Sequence, residues 1–188
     1  MKYYPVLLNL KGKKCVVVGG GSVAQRKAHT LCSAGASVWV VSPAITKALE
    51  KLKNKKKISY SSSKYDRQYL KGAFLVIAAT NDEKVNAAIS SDASKRGVLV
   101  NVVDAPAASN FIIPSVIVKK DLIISISTSG EAPCLSKRMR KDFERLLVPE
   151  YAVFLSALKD IRKRLKARCE NARARTKLLS GLVNINSP

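Results

Sequence analysis

"KCVVVGGGSVAQRKAHTLCSAGASVWVVSP" (residues 14–43) decides the fold. Cys15 to Val18 is a short run ending in three valines, the composition of a strand buried on both faces. A glycine triplet follows at once. From Ser22 to Ala34 the apolar residues Val23, Ala24, Ala28, Leu31 and Cys32 recur near helical spacing, and Gly35 supplies a stop. Val38 to Val41 then reads as a second strand. Strand, glycine turn, helix and strand make one βαβ unit with a right-handed crossover. At its turn, Gly19-Gly20-Gly21-Ser22-Val23-Ala24 fits G-x-G-x-x-A. The first glycine permits the tight turn, Gly21 lets a pyrophosphate approach the backbone, and small Ala24 lets helix and strand pack closely. The helix N-terminus offers free N–H groups and a favourable dipole to phosphate. In this context the pattern points to a dinucleotide; a glycine turn without ligand is the competing reading.

The unit lacks one usual part. A dinucleotide site commonly has Asp or Glu about twenty residues on, for the adenosine ribose, but no acid occurs between Gly19 and Glu50. The ribose therefore falls to Ser42 or to the backbone around Pro43 and Ala44. This feature selects neither NAD nor NADP, and Lys47 is either available to a 2′-phosphate or a solvated helix lysine.

Outward from this unit the alternation continues. Residues 44–53 read as helix, 58–60 as a short strand, 74–78 as a buried strand, 83–95 as a helix closing at Gly97, and 98–103 as a strand. Such alternation implies a parallel sheet. "KLKNKKK" (51–57) reads as a solvated basic loop. The pattern then changes: residues 112–118 and 122–127 are separated only by Lys119-Lys120-Asp121, too short for a crossover helix, so they pair as an antiparallel hairpin. Pro133 opens a helix running to about Leu147. After Pro149 the chain reads helical, with Tyr151, Phe154, Leu155, Leu158, Ile161 and Leu165 forming an apolar face between basic residues; the closing "NINSP" reads as frayed. The expected fold class is α/β: a Rossmann-type parallel sheet (1–113), a small hairpin-and-helix element (114–147) and a basic C-terminal helical domain (148–188).

Composition bounds the partners. Lys and Arg number 34 against 13 Asp and Glu, a formal charge of +21. Such a charge favours polyanions: nucleic acid, acidic membrane or a polycarboxylate substrate. Aromatic residues are only 6% and are not interleaved with the basic tail, which speaks against specific nucleic-acid binding. No run of about 18 apolar residues is present, so no membrane span is expected. The four cysteines (15, 32, 134, 169) form no C-x-x-C pair and His29 is the single histidine, giving no zinc pattern and no disulfide framework. Cys15 in its apolar strand reads as a buried thiol. A reducing, cytoplasmic setting is expected.

"NVVDAPAASNFIIPS" (101–115) carries the chemistry. Asp104 is the one acid between Asp92 and Asp121, and it follows an apolar run that ends at the sheet's carboxyl edge. In open α/β sheets ligands bind along that edge. Two readings stand: a general base, or a turn carboxylate satisfied by local N–H groups around Ala105-Pro106. Thr80 and Asn81 end the neighbouring strand and are placed to line the nicotinamide side.

Four ordered blocks then carry a resemblance: "YYPVLLNLKGKKCVVVGGGSVAQRKAHTLCSAGASVWVVSP" (3–43), "FLVIAATNDEKVN" (74–86), "NVVDAPAASNFIIPS" (101–115) and "ISISTSGEAPCLSKRMR" (124–140). Together they resemble the precorrin-2 dehydrogenase/sirohydrochlorin ferrochelatase family of sirohaem synthesis. A generic Rossmann protein would share the first block alone. The resemblance implies NAD-dependent oxidation of precorrin-2 to sirohydrochlorin, with Fe²⁺ insertion in some members. It implies that the hairpin element serves a homodimer. It makes Asp104 the general base and, in bifunctional members, an acceptor of pyrrole N–H protons or a guide for Fe²⁺; no fixed metal ligand is assigned. The implied substrate carries eight carboxylates. Arg138 and Arg140 are candidates for these, with a solvated helix face as the alternative. Asn101 and Asn110 either orient substrate or satisfy the turn. Thr128 stands where some members carry a phosphorylatable serine. The rival is a non-enzymatic Rossmann-type nucleotide-sensing module, which residues 1–100 permit and the 101–115 block and hairpin oppose.

Overall fold

A computed structural model of the chain describes residues 2–146 and 148–185; the expected helix end at Leu147 and the last residues of the tail, 186–188, lie outside the described residues. The chain divides into two compact units, Met1–Ile113 and Pro114–Pro188.

The first unit is a five-stranded parallel sheet in the order β3-β2-β1-β4-β5. Its strands are β1 (Lys14–Val18), β2 (Ser37–Val41), β3 (Ile58–Ser61), β4 (Leu75–Ala78) and β5 (Leu99–Val102). Val16, Val17, Val76 and Ala78 are fully buried because helices cover both faces. Helix α1 (Ser22–Ser33) and helix α2 (Lys47–Asn54) share one apolar layer with Cys15, Val17, Val38, Val40 and Ile77. Helix α3 (Glu83–Lys95) packs on the other layer with Val16, Val18, Val76 and Val100. The chain leaves β1 toward β2 and later returns to pair β4 on β1's other side. That reversal opens a crevice at the carboxyl ends of β1 and β4. Burial pushes the Cys15 thiol up to about 11, so it stays an uncharged core group.

Local chemistry shifts several expected boundaries. Helix α2 begins three residues later than expected, at Lys47, because Thr46 is its cap: the Thr46 hydroxyl oxygen accepts from the Leu49 N–H at 3.3 Å. Residues 43–45 instead form the approach to the glycine turn. Of the two overlapping readings of residues 51–53, helix and basic loop, the helix holds: Lys51 to Asn54 complete α2, where Lys51 and Lys53 complement the negative end of the helix dipole. A 3-10 turn at Arg67–Leu70, capped by Asp66, buries Leu70 and was not anticipated.

The second unit holds the hairpin of β6 (Ser115–Lys119) and β7 (Leu122–Ile126), then α4 (Pro133–Leu146), α5 (Val148–Arg168) and α6 (Ala172–Ile185). The hairpin is antiparallel, with Ile117 opposite Ile124 and Val118 opposite Ile123. Strand β6 starts at Ser115, later than expected, because Pro114 lacks the N–H a ladder needs. Alternation gives the hairpin two faces: Ile117 is buried, while Val116, Val118 and Ile123 are exposed. Along α5, Phe154, Leu155, Leu158, Ile161 and Leu165 are half-buried and Tyr151 is exposed.

Candidate dinucleotide and substrate site

The three glycines have three different reasons. Gly19 has φ +125, and a Cβ there would overlap the Ala79 carbonyl. A Cβ on Gly20 would overlap the Ala44 carbonyl oxygen, because the β2–α2 loop folds onto the turn, where the Thr46 N–H donates to the Gly20 carbonyl at 3.1 Å. Gly21 has ordinary extended backbone, φ −79, and nothing lies within 4 Å of where its Cβ would stand. Neither conformation nor packing demands glycine there, and the open space lets a ligand approach the backbone closely. Gly21 is also the N-cap of α1, no side chain caps the first turn, and that turn holds no acid. Ser22, Val23 and Ala24 therefore present backbone N–H groups toward an anion with the helix dipole behind them. The residues present fit a dinucleotide pyrophosphate.

The β2–α2 loop stands beside this turn. The Ser42 hydroxyl donates to the Ala44 carbonyl at 2.7 Å, and the Tyr60 hydroxyl donates to the Ser42 carbonyl at 3.0 Å. Ser62 donates to the Pro43 carbonyl at 3.2 Å. Ser42, Pro43 and Ala44 are thus held rigidly at the edge expected for the ribose, and no carboxylate stands among them. At the end of β4, Thr80 donates to Asn86 Oδ1 at 2.7 Å while Asn86 Nδ2 donates to the Thr80 carbonyl at 3.0 Å. Asn81, next to it, is exposed.

Asp104 follows β5 on the same edge. It is exposed and sits in left-handed backbone, φ +59, which Asp tolerates better than most residues. The cap-like reading of this carboxylate does not hold. The following 3-10 turn, Pro106–Ala108, has no side-chain cap, and the Ala105 N–H goes to the Val102 carbonyl at 3.2 Å. The Asp104 carboxylate joins none of the hydrogen bonds or ion pairs among the described residues.

The two asparagines of the motif are structural. Asn110 Oδ1 accepts from the Val100 N–H at 2.7 Å, and its Nδ2 donates to the Val98 carbonyl at 3.1 Å. Ser109 Oγ accepts from the Val102 N–H at 2.9 Å. Together they satisfy the free edge of β5 as a sixth strand would. Buried Asn101 donates to the Phe111 carbonyl at 3.1 Å. Of the two readings of these asparagines, the turn-satisfying one describes the bonds. Arg138 and Arg140 lie on α4 in the second unit, and each is paired one helical turn on, with Asp142 at 3.1 Å and Glu144 at 2.6 Å. They read as a solvated, internally paired helix face.

One charged residue near Asp104 escaped the sequence reading. Lys27, on α1, is half-buried. Its ammonium is held below the ordinary lysine value chiefly by burial and further by Arg26, while Asp104 acts in the opposite direction. His29 is exposed on α1 beside Arg26 and Lys51 of the α1–α2 groove. Among the described residues, no three His, Cys, Asp or Glu cluster as a metal site, and no helix is long and apolar enough to cross a membrane. Thr128 Oγ1 accepts from the Ala132 N–H at 3.1 Å, just before α4.

A parallel sheet whose switch-point crevice opens onto a bare helix N-terminus and one sterically free glycine defines a Rossmann-type dinucleotide-binding protein. The match can be drawn closer. The chain belongs to the family described as "Putative NAD(P)-binding", whose model matches residues 6–115. It is 36% identical over 187 residues to siroheme synthase of Nitrosococcus oceani, covering 97% of this chain and 40% of that protein. It is 42% identical over 147 residues to siroheme synthase of Photobacterium profundum, covering 78% of this chain and 31% of that protein. The chain thus spans well under half the length of these relatives. Among solved structures, one titled "SirC, precorrin-2 dehydrogenase" superposes with a TM-score of 0.84 at 27% identity, covering 96% of this chain and 89% of that one.

Proposed function

We propose that the chain is an NAD⁺-dependent precorrin-2 dehydrogenase, working as a homodimer in the cytoplasm. The observation that carries this reading is Asp104: an exposed carboxylate without a hydrogen-bond partner among the described residues, in left-handed backbone, on the edge that also bears the Gly21 cradle. The likeness to siroheme synthases and to a precorrin-2 dehydrogenase structure supplies the substrate class.

The oxidation removes a hydride and a proton from the tetrapyrrole. Bound NAD⁺ supplies the hydride acceptor. The α1 N-terminus and Gly20–Ala24 would hold its pyrophosphate by backbone N–H groups, the Ser42–Ala44 loop would border the ribose, and Thr80 and Asn81 would line the nicotinamide side. Asp104 takes the proton from the substrate and releases it to solvent, for which its exposure suits it. The hairpin's uncovered face, Val116, Val118 and Ile123, supports self-association.

The test is turnover of precorrin-2 with NAD⁺ by wild type and by Asp104→Asn, which keeps the left-handed backbone comfortable. Wild type should yield sirohydrochlorin and NADH; the variant should bind NAD⁺ normally and lose turnover by at least about a hundredfold. Equal turnover removes Asp104 from the chemistry. NAD⁺ binding without turnover by wild type favours the nucleotide-sensing alternative. Fe²⁺ added to sirohydrochlorin reads iron insertion, in which Asp104 would accept pyrrole protons.

A further inference from the structure

Helices α1 and α2 pack on one apolar layer of the sheet, through Ala24, Ala28 and Leu31 from α1 and Leu49 from α2. Between them runs a groove of about 360 Å³, lined by Gln25, Arg26 and His29 of α1 and by Ala48, Lys51 and Leu52 of α2. Helical spacing puts these residues together. On each helix they stand three or four apart, so they share one side of it. Half-buried Gln25, Ala48 and Leu52 form the floor, and exposed Arg26, His29 and Lys51 form the rim. Nothing in the dinucleotide reading uses this groove.

Its polar groups are of one kind. Arg26 and Lys51 bring positive charge and His29 brings a ring N–H, while no Asp or Glu lines the groove. The side chains of Arg26, His29 and Lys51 enter none of the hydrogen bonds or ion pairs among the described residues, so their donors meet water. Gln25 is fixed in place. The Thr46 hydroxyl donates to its Oε1 at 2.8 Å, and the Thr46 N–H donates to the Gly20 carbonyl at 3.1 Å. With Oε1 engaged, the part of this amide still without a protein partner among the described residues is the donor, Nε2. Two cations lining one narrow groove with no counter-charge gain from an anion between them. The larger groove between α5 and α6 differs: Asp160 lines it, Lys159 is paired with Asp121 at 2.6 Å, and Arg175 donates to the Cys169 and Glu170 carbonyls.

We propose that the α1–α2 groove is an oxyanion site: Arg26, Lys51, His29 and the Gln25 amide take the charged group of a compact phosphate ester or carboxylate, whose apolar body lies on Ala48 and Leu52. A volume near the lower end of ligand pockets suits a small organic anion rather than a tetrapyrrole. The site is therefore separate from the substrate and dinucleotide sites, and it stands whether or not the dehydrogenase reading does.

The test follows backbone amide NMR shifts of the full chain while phenyl phosphate or phthalate is added at about 0.15 M salt. The two probes share an aromatic body and differ in the anionic group, so they tell a phosphate site from a carboxylate site. At least one should give saturable shifts at residues 25–30 and 48–52. Arg26→Gln and Lys51→Gln should each weaken that Kd by about three- to fivefold, the worth of a contact to a water-exposed charge. The double variant should lose about tenfold or more. Lys163→Gln removes the same charge from α5 and should leave the Kd within about twofold of wild type. Thermal unfolding of each variant checks that the fold is kept. Saturable shifts with neither probe overturn the proposal, as does a Kd unchanged in both groove variants. An equal loss in Lys163→Gln overturns it too, by reducing the effect to the chain's overall charge. Shifts confined to Gly20–Ala24 would put the anion at the dinucleotide turn and likewise overturn it. No step needs NAD⁺ or precorrin-2, so a failed dehydrogenase assay leaves this result standing.

Discussion

Replacing Gly20 and Gly21 by alanine, one at a time, separates packing from ligand approach within a single turn. At Gly20 the new Cβ overlaps the Ala44 carbonyl oxygen, a backbone atom. That carbonyl also receives the Ser42 hydroxyl at 2.7 Å, and its loop is tied to the turn by the Thr46 N–H at 3.1 Å. Displacing it forfeits about two hydrogen bonds at roughly 1 kcal/mol each and adds strain of about 1–2 kcal/mol. Gly20→Ala should therefore lose about 3 kcal/mol, lowering the melting midpoint by roughly 6–12 °C for a chain of this length. At Gly21 the Cβ meets open space and φ is −79, so Gly21→Ala should stay within about 1 kcal/mol of wild type. Its methyl group instead stands where the pyrophosphate must come. Losing one charge-assisted contact costs about 1.5–3 kcal/mol, or roughly ten- to a hundredfold in Kd. Calorimetric titration with NAD⁺ and thermal unfolding of both variants read the two quantities. A Gly21→Ala variant that binds NAD⁺ as wild type does, or a Gly20→Ala variant that melts with wild type, refutes the reasoning.

Three more expectations follow from named contacts. Asn110→Ala strips the Val100 N–H and Val98 carbonyl of their partners and should cost about 2–4 kcal/mol in urea unfolding without raising KM for precorrin-2; a raised KM at unchanged stability would return Asn110 to the substrate. Lys27 has a folded pKa below its ordinary 10.5, so between those values the unfolded chain holds a proton that the folded chain has released, and stability gained through this group rises with pH. Relative to wild type, Lys27→Met should thus be most advantaged below the lowered value and lose that advantage as pH approaches 10.5; a pH-independent difference would contradict the burial of this cation. Ile123→Lys, opposite Val118 on the uncovered hairpin face, should convert the proposed homodimer to a monomer in sedimentation while leaving the fold intact, and an identical mass for both proteins would exclude that face as the interface.

Much of the first unit was readable because its signals are local. Strands buried on both faces show as valine runs, and a helix that begins at a glycine turn shows its period within twelve residues. Helix α3 matched its expected span, Glu83–Lys95, because Asp82 caps it through the Lys84 and Val85 N–H groups. The start of α2 was misplaced because Pro43 to Ile45 are spent against Gly20, a contact more than twenty residues away in the chain. The 3-10 turn at Arg67–Leu70 left no signal, since four residues carry no period.

By itself the sequence determined that a dinucleotide turn stands between a strand and a helix, that an α/β unit precedes a hairpin and helices, and that a lone acid ends the fifth strand. Only the tertiary structure decided which polar groups remain available. It shows Asn110 bound to the β5 edge, Arg138 and Arg140 paired along their helix, Gly21 facing open space, and the Asp104 carboxylate exposed and outside the hydrogen bonds and ion pairs among the described residues. The physical reason is that a polar side chain's availability depends on what it already bonds. Those partners, ten residues away for Asn110 and Val100 and eighteen for Tyr60 and Ser42, are set by folding and not by neighbours in the chain.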